Sequence, residues 1–183
     1  MKILVIIPTY NEKGNIAKMI NSVLTLNHKE KDTDISLLVV DDNSPDGTSV
    51  VVSDKMINGE FKDRLFLIER EKKMGLGTAY CTGFKFAIER GFDYVITMDC
   101  DFSHDPSEII NFVNHINNNA IGMIVGSRYK DGIRIMNWEM KRLLISYLAN
   151  VYSMVITGDM RDKVKYAAFM PGLLSIYIPY YLT

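Results

Sequence analysis

Two aspartates flank a cysteine in the segment Asp99-Cys100-Asp101, directly after the apolar run Tyr94–Met98. Two carboxylates so close together repel each other, and a divalent cation relieves that repulsion. Hard oxygen ligands suit Mg²⁺ or Mn²⁺, which commonly bind one or two carboxylates together with substrate phosphates. The segment therefore indicates a metal site formed by Asp99 and Asp101, with Ser103 near enough to add an oxygen. A solvated turn or a helix cap is the alternative that the spacing leaves open.

A second acidic segment, Asp41–Thr48, follows the apolar run Ile35–Val40 and reads Asp-Asp-Asn-Ser-Pro-Asp-Gly-Thr. A carboxylate at the end of a strand can accept hydrogen bonds from the nitrogens of a nucleobase, and we assign that role to Asp42. Asn, Ser, Pro, Asp and Gly are also the residues that form turns, so Asn43–Thr48 is predicted to be a turn.

The third polar segment, Pro8–Glu12, follows the apolar run Ile3–Ile7. Tyr10 can stack on a base or form a hydrogen bond with it or with the ribose, and Glu12 can accept from hydroxyls or ring nitrogens. Asn11 is alternatively the cap of the next helix, and both interpretations can hold.

Glycines precede a predicted helix in the segment Lys73–Thr78. Glycines at a helix N-terminus let backbone amides approach a phosphate. The segment matches neither the dinucleotide-binding fingerprint nor a P-loop, so an ordinary turn is the favoured interpretation.

Basic residues outnumber acidic ones between Arg128 and Lys165, which suits an anionic ligand, a membrane surface or a solvated face. The Arg128 guanidinium follows a predicted strand and could pair with a phosphate. Arg142 belongs to a row of residues spaced by four on a predicted helix, next to an apolar stripe. That stripe is either core or one side of a groove for a lipid phosphate. The row consists of Trp138, Arg142, Ser146 and Asn150.

Strands and helices alternate along the chain, which predicts an α/β fold with an open, mostly parallel sheet and helices on both faces. Ligands bind such sheets at the carboxyl ends of the strands, where the polar segments occur. The predicted strands are Ile3–Ile7, Ile35–Val40, Arg64–Ile68, Tyr94–Met98 and Ile121–Val125. The predicted helices are Asn15–Leu26, Asp46–Ile57, Leu76–Arg90, Pro106–Asn117 and Trp138–Thr157.

The composition fits one ordinary domain, because 183 residues of which 48% are hydrophobic can fill a single core. The net charge of -1 argues against nonspecific binding of nucleic acid. Two cysteines do not form a disulfide framework, so we expect a reducing compartment. We find neither a signal peptide nor an apolar run of the ~20 residues that a spanning helix needs, so membrane contact is expected to be peripheral or through a partner.

Together these segments resemble the family 2 glycosyltransferases, and within them the dolichol-phosphate (polyprenyl-phosphate) mannosyltransferase family. Their order and spacing match as well as their residues. The matching segments are Pro8–Glu12, Val40–Thr48, Gly75–Tyr80, Met98–Pro106 and Gly126–Tyr129, and the likeness continues through Trp138, Arg142, Ser146, Ala149 and Asn150.

The resemblance implies a GT-A fold, a GDP-mannose donor, a dolichyl (polyprenyl) phosphate acceptor and Mg²⁺ or Mn²⁺. It implies that the nucleoside is held by Pro8, Tyr10, Glu12, Val40 and Asp42. Asp99, Cys100 and Asp101 would lie along the ribose and diphosphate, and the metal ligands would be Asp99, Asp101 and Ser103. Arg128 and Arg142 would hold phosphates, and Arg128 would also contact the donor. With Asp101 they form the predicted catalytic set.

The implied reaction is an inverting transfer of mannose to the lipid phosphate. The family also implies a peripheral position on the cytosolic face of the endoplasmic reticulum membrane, with small anchoring subunits as partners. The alternatives are a catalytically incomplete domain that binds the nucleotide sugar, and a polyprenyl-phosphate glucosyltransferase that uses UDP-glucose. A flavodoxin-like phosphoacceptor domain ranks last, because it leaves Asp99-Cys100-Asp101 unexplained.

The chain departs from the family pattern at two places. Cys100 stands where the family usually has Ala, a change between small residues. After Gly158 the family's D-x-T-S-G-F-R segment is missing, and Arg161 and Lys163 cannot be equated with its basic residues. We therefore predict one glycosyltransferase domain, 1–183, that is truncated or divergent after about residue 158.

Overall fold

A computed structural model describes residues 1–26, 33–59, 61, 63–118, 123–125 and 175–177. Strands and helices alternate through most of this part, and none of its helices is long and apolar enough to cross a membrane. The strands are β1 (Lys2–Thr9), β2 (Asp34–Asp41), β3 (Leu65–Glu69), β4 (Tyr94–Thr97), β5 (Met123–Val125) and β6 (Ser175–Tyr177). The helices are α1 (Lys13–Leu24), α2 (Thr48–Ile57), α3 (Leu76–Glu89) and α4 (Glu108–Asn118).

All five predicted strands and the first four predicted helices are present, with ends that differ by a few residues. The predicted helix Trp138–Thr157 lies outside the described residues. The first helix begins at Lys13 rather than at Asn15, and the side chains of Asp46 and Thr48, just before and at the start of α2, bind the backbone amides there. That contact is tertiary, so the local sequence pattern did not reveal it.

One mixed sheet holds the strands in the order β3-β2-β1-β4-β6-β5. β1 pairs in parallel with β2 and β4, and β2 pairs in parallel with β3. β6 was not predicted, and it runs antiparallel to both β4 and β5. The prediction of a mostly parallel sheet is therefore confirmed, with one antiparallel strand between β4 and β5.

β1 and β2 are apolar on both faces because helices cover both sides of the sheet. Successive residues of a strand point to opposite faces, so Val5 and Ile6 belong to different clusters. Val5 packs with residues of α1, α2 and α4, whereas Ile6 packs with residues of α3. One apolar cluster thus lies on each face of the sheet, which confirms the predicted helices on both faces. The packing holds the strands whose ends carry the polar segments.

Helix α3 lies especially close to β1 at Gly83. A Cβ atom added to Gly83 would meet Ile6 Cδ1 at 2.5 Å and Ile6 Cγ2 at 2.8 Å. Real Cβ atoms essentially never come so close to a neighbour, so only glycine fits without a shift. The contact holds α3 against the strand that ends in the polar segment Pro8–Glu12.

Candidate active site

The first three strands end level with one another at one edge of the sheet. Thr9 pairs with Asp41, which in turn pairs with the last residue of β3. The pairing continues one step further, because the Asp42 amide donates to Thr9 O at 3.0 Å and the Arg70 amide donates to Asp41 O at 2.8 Å. Tyr10, Asp42 and Arg70 therefore follow three adjacent strands in one row.

Asp41 is buried and has a structural role. Its carboxylate accepts from Thr9 Oγ1 at 2.7 Å, from the Ser44 amide at 2.8 Å and from Ser44 Oγ at 2.6 Å. These bonds join the ends of β1 and β2 and close the turn after β2. Asp41 and its neighbour Asp42 thus have different surroundings. The ligand role predicted from the sequence belongs to Asp42 and not to Asp41.

The predicted turn Asn43–Thr48 also supports the neighbouring loop. Successive amides of Asn11–Lys13 donate to Ser44 Oγ, Thr48 Oγ1 and Asp46 Oδ2, each at 3.0 Å. The Thr48 hydroxyl donates to Asp46 Oδ1 at 2.6 Å, and this bond is the main cause that lowers the pKa of Asp46. The segment thereby fixes the backbone that carries Tyr10 and Glu12.

The alternative role of Asn11 as a helix cap is wrong. Asn11 has a φ of 62°, and the residue that precedes α1 is Glu12, without a capping bond from its side chain. The amides of Glu12 and Lys13 at this end donate instead to Thr48 Oγ1 and Asp46 Oδ2. Glu12 Oε2 instead accepts from Asn15 Nδ2 at 2.8 Å, which orients its carboxylate.

Asp42 is buried against a loop that begins at Arg70. Its Oδ1 binds Nε and Nη2 of Arg70, and its Oδ2 accepts from the amides of Met74 and Gly75 at 3.1 and 3.2 Å. Arg70 also donates to Thr78 Oγ1 at 2.6 Å and to Gly75 O at 3.1 Å. The amides before α3 thus bind a carboxylate of the protein, which agrees with the preference for a turn over a phosphate site.

Sequence reasoning missed Arg70, although a signal for it was present. The arginine directly follows β3, just as Tyr10 and Asp42 follow β1 and β2. The rule that ligands bind beyond the carboxyl ends of strands applies to all three strands equally. Applied to the third strand, it would have selected Arg70.

The Tyr10 side chain is exposed at this edge and one face of its ring is covered by a lysine. Lys73 Nζ lies 3.9 Å from the centroid of the Tyr10 ring, within the range of a cation–π contact. Lys73 belongs to the loop that Asp42 holds. The predicted residues Pro8 and Val40 lie nearby as a register pair of β1 and β2.

The acidic segment after β4 forms a tight turn. The Asp99 amide donates to Nδ1 of the buried His104 at 3.3 Å, and the Ser103 amide donates to Asp101 Oδ1 at 2.9 Å. Phe102 has a φ of 57°, a left-handed conformation that is rare for a bulky residue. His104 thus makes a local polar contact with the acidic segment.

Cys100 points into the core, between the two aspartates. Burial raises the pKa of its thiol, and the negative charges of Glu12, Asp101 and Asp99 raise it further. The thiol is therefore protonated at neutral pH, which argues against a thiolate nucleophile at this position. The effect of Glu12 also shows that its carboxylate lies near the acidic segment.

The hard-oxygen chemistry of Asp99 and Asp101 fits Mg²⁺ or Mn²⁺. The described residues contain no group of three or more His, Cys, Asp or Glu side chains able to hold a metal ion by themselves. Mg²⁺ in particular is usually held by one or two carboxylates and completes its shell with substrate phosphates and water. The pair is thus suited to a metal that arrives with an anionic substrate.

The two arginines predicted to hold phosphates, Arg128 and Arg142, lie outside the described residues.

A family model described as glycosyl transferase family 2 matches residues 4–171. The chain is 37% identical over 155 residues to polyprenol monophosphomannose synthase of Mycolicibacterium smegmatis, covering 85% of this chain and 56% of that protein. It is 33% identical over 159 residues to undecaprenyl-phosphate mannosyltransferase of Micrococcus luteus, covering 86% of this chain and 61% of that protein. The chain thus spans less than two thirds of the length of these relatives.

Solved structures confirm the fold. Mannosyltransferase PcManGT from Pyrobaculum calidifontis, in complex with GDP-Man and Mn2+, matches with a TM-score of 0.55 and 24% identity over 66% of this chain and 34% of that chain. Glucosyl-3-phosphoglycerate synthase from Mycobacterium tuberculosis, in complex with UDP, matches with a TM-score of 0.61 and 17% identity over 98% of this chain and 57% of that chain. The predicted GT-A fold is therefore confirmed.

Proposed function

The chain belongs to glycosyl transferase family 2, and from that premise we propose that it transfers mannose from GDP-mannose to a polyprenyl phosphate such as dolichyl phosphate. The observation that carries the proposal is the row of Tyr10, Asp42 and Arg70 at the same edge of the sheet as the Asp99–Asp101 turn. The names of the two relatives, both of which concern mannose and a polyprenyl carrier, support this choice of substrates.

The donor nucleotide is placed along this edge. The nucleoside binds beside the exposed Tyr10 ring, over the end of the β1–β2 pair. The diphosphate extends toward Asp99–Asp101 at the end of β4. We propose that the nucleoside contacts Pro8, Tyr10, Glu12, Val40 and the loop that Asp42 holds, and that the diphosphate contacts Asp99, Asp101 and the backbone of Cys100, whose thiol points into the core.

Asp99 and Asp101 would hold Mg²⁺ or Mn²⁺, with Ser103 beside them. When bound, the metal supplies positive charge that stabilises the leaving diphosphate. Arg128 and Arg142 are predicted to add positive charge at the donor or acceptor phosphates. The presence of Mn2+ in the complex of PcManGT is consistent with a metal in this fold.

The proposed reaction is a single displacement with inversion. The acceptor phosphate is already anionic at neutral pH, so it needs little help from a general base. One of its oxygens forms the new bond to the anomeric carbon of mannose. The bond between that carbon and the diphosphate oxygen breaks, and its electron pair leaves with GDP. The product is polyprenyl phosphate mannose.

A lipid acceptor implies that the chain works at a membrane surface. We propose peripheral attachment, either directly or through small anchoring subunits. The cytosolic face of the endoplasmic reticulum stays a prediction, because both relatives with a polyprenyl carrier are bacterial proteins.

Transfer of labelled mannose from GDP-mannose to dolichyl phosphate tests the proposal, with Mg²⁺ or Mn²⁺ present. We expect transfer by the full chain, loss of transfer in Asp101→Ala, and retention in Asp105→Ala, a change at an exposed aspartate of the same turn. Competition with UDP-glucose tests the choice of donor. Binding of GDP-mannose without transfer would overturn the enzyme assignment and leave a donor-binding domain.

A further inference from the structure

The loop Arg70–Gly75 contacts two of the residues assigned to the nucleoside. Arg70 and the amides of Met74 and Gly75 bind Asp42, and Lys73 covers Tyr10. The loop is therefore anchored on both sides of Lys73. These anchors fix the loop backbone on either side of Lys73, whose Nζ lies 3.9 Å from the centroid of the Tyr10 ring.

The carboxylate of Asp42 already has its acceptor positions filled. A carboxylate offers about four lone-pair sites, two on each oxygen. Two nitrogens of Arg70 bind Oδ1, and two backbone amides donate to Oδ2. A nucleobase N–H would have to displace one of these donors. Asp42 is thus a positioning residue that holds the loop, and another group on the loop has to contact the base.

Lys73 has the chemistry for that contact. Its ammonium carries three donors and no acceptor, so it pairs only with acceptor atoms of a base. Guanine presents two adjacent acceptors, N7 and O6, whereas adenine presents N7 beside an amino donor. A base stacked on Tyr10 would bring such an edge next to the loop.

We propose that Lys73 reads the N7 and O6 edge of the donor's guanine and so helps to select GDP-mannose over donors with other bases. The proposal rests on the proposed function, since it assumes a nucleotide at Tyr10. When the base binds, the ammonium leaves the Tyr10 ring and donates to the two acceptors. The four-carbon stem of lysine allows that movement while Asp42 keeps the loop backbone in place.

Binding of GDP, IDP, ADP and UDP to the full chain, measured by calorimetry with Mn²⁺, tests this inference. IDP keeps N7 and O6 but lacks the 2-amino group of guanine. We expect Lys73→Met to weaken GDP and IDP by roughly 10- to 100-fold, the usual effect of losing a two-bond base contact, and to leave ADP nearly unchanged. Lys72→Met is the matched control, because it removes the same charge from the next exposed residue.

Each outcome decides between explanations. Equal weakening of all four nucleotides by Lys73→Met, or the same loss in Lys72→Met, overturns base reading and leaves general attraction of the diphosphate. If Lys73→Met still prefers GDP, the proposed lysine contact is wrong, whereas the GDP-mannose donor is not contradicted. A native chain that binds GDP no better than ADP and UDP contradicts the GDP-mannose donor itself, and the guanine contact with it. Thermal unfolding curves confirm that both variants are folded.

Discussion

The Arg70 guanidinium binds the Asp42 carboxylate through two nitrogens, and the two side chains are only 6% and 8% exposed. The pair joins the end of β2 to the loop before α3, because Arg70 also binds Thr78 and Gly75 at the start of that helix. The proposed nucleoside end of the donor site thus depends on one buried charge pair.

Replacing Arg70 with Met should destabilise the protein strongly. The substitution keeps most of the volume but leaves the buried Asp42 carboxylate without its counter-charge, a change that typically costs about 3–5 kcal/mol. The free energy of unfolding in urea measures the loss. The double variant Arg70→Met/Asp42→Asn is the control, since it removes both charges and should be more stable than the single variant. Equal stability of the two variants would show that the unpaired Asp42 carboxylate carries no such cost.

Site residues whose polar side chains directly follow an apolar run could be predicted from the sequence. Residues whose role depends on tertiary contacts were missed. Tyr10, Asp42 and Asp99–Asp101 were found because polar residues followed apolar runs. Arg70 was overlooked because the end of the third strand was not searched with the same rule. The role of Lys73 depends on its distance from Tyr10, which no local pattern encodes.

In the sheet, too, strands with a local sequence signal were predicted and a strand defined by tertiary pairing was missed. Long apolar runs predicted β1 and β2, because a strand covered on both faces is apolar throughout. β6 has only three residues, Ser175–Tyr177, and it is defined by pairing with β4 and β5. That pairing joins residues far apart in the chain, so no local pattern encodes it and the antiparallel strand was not predicted.

Replacing Gly83 with Ala should loosen the contact between α3 and β1. The new Cβ would lie 2.5 Å from Ile6 Cδ1, and overpacking of this kind costs about 1–3 kcal/mol. Gly77→Ala in the same helix is the control. A Cβ at Gly77 meets no atom within 4 Å, so that change should be neutral or stabilising by up to about 1 kcal/mol.

Urea unfolding of both alanine variants measures these differences. The double variant Gly83→Ala/Ile6→Val gives a further test, because valine lacks the Cδ1 atom that makes the shortest contact. It should recover part of the lost stability. If Gly83→Ala is as stable as Gly77→Ala, the close approach of α3 to β1 is wrong.

Replacing Asp101 with Asn should weaken the metal-dependent binding of GDP. Changes to groups that merely support a metal ligand already cost about 10- to 100-fold in affinity, so loss of a ligand should cost at least roughly tenfold. Calorimetric titration of GDP with and without Mn²⁺ measures the effect. Asp105→Asn serves as the control, because the Asp105 carboxylate is exposed and accepts from the nearby Ser107 amide. A metal response that Asp101→Asn leaves intact would remove Asp101 from the ligand set.

The protonated thiol of Cys100 should make the fold less stable in alkaline solution. Burial is the first cause that raises its pKa in the folded chain, whereas in the unfolded chain the thiol ionises near the usual cysteine value of about 8.5. Above that pH the unfolded state binds fewer protons than the folded state. Stability therefore falls as pH rises, by at most about 1.4 kcal/mol per pH unit from this group.

Urea unfolding at pH 7.5 and pH 9.5 of the native chain and of Cys100→Ala, which carries the residue usual in the family, tests this effect. The native chain should lose more stability between the two pH values than the variant does, because alanine cannot ionise. Cys81→Ala controls for the loss of a cysteine, since Cys81 is exposed and should leave the alkaline loss unchanged. The same alkaline loss in the native chain and in Cys100→Ala would mean that the folded chain does not hold the Cys100 thiol in its protonated form.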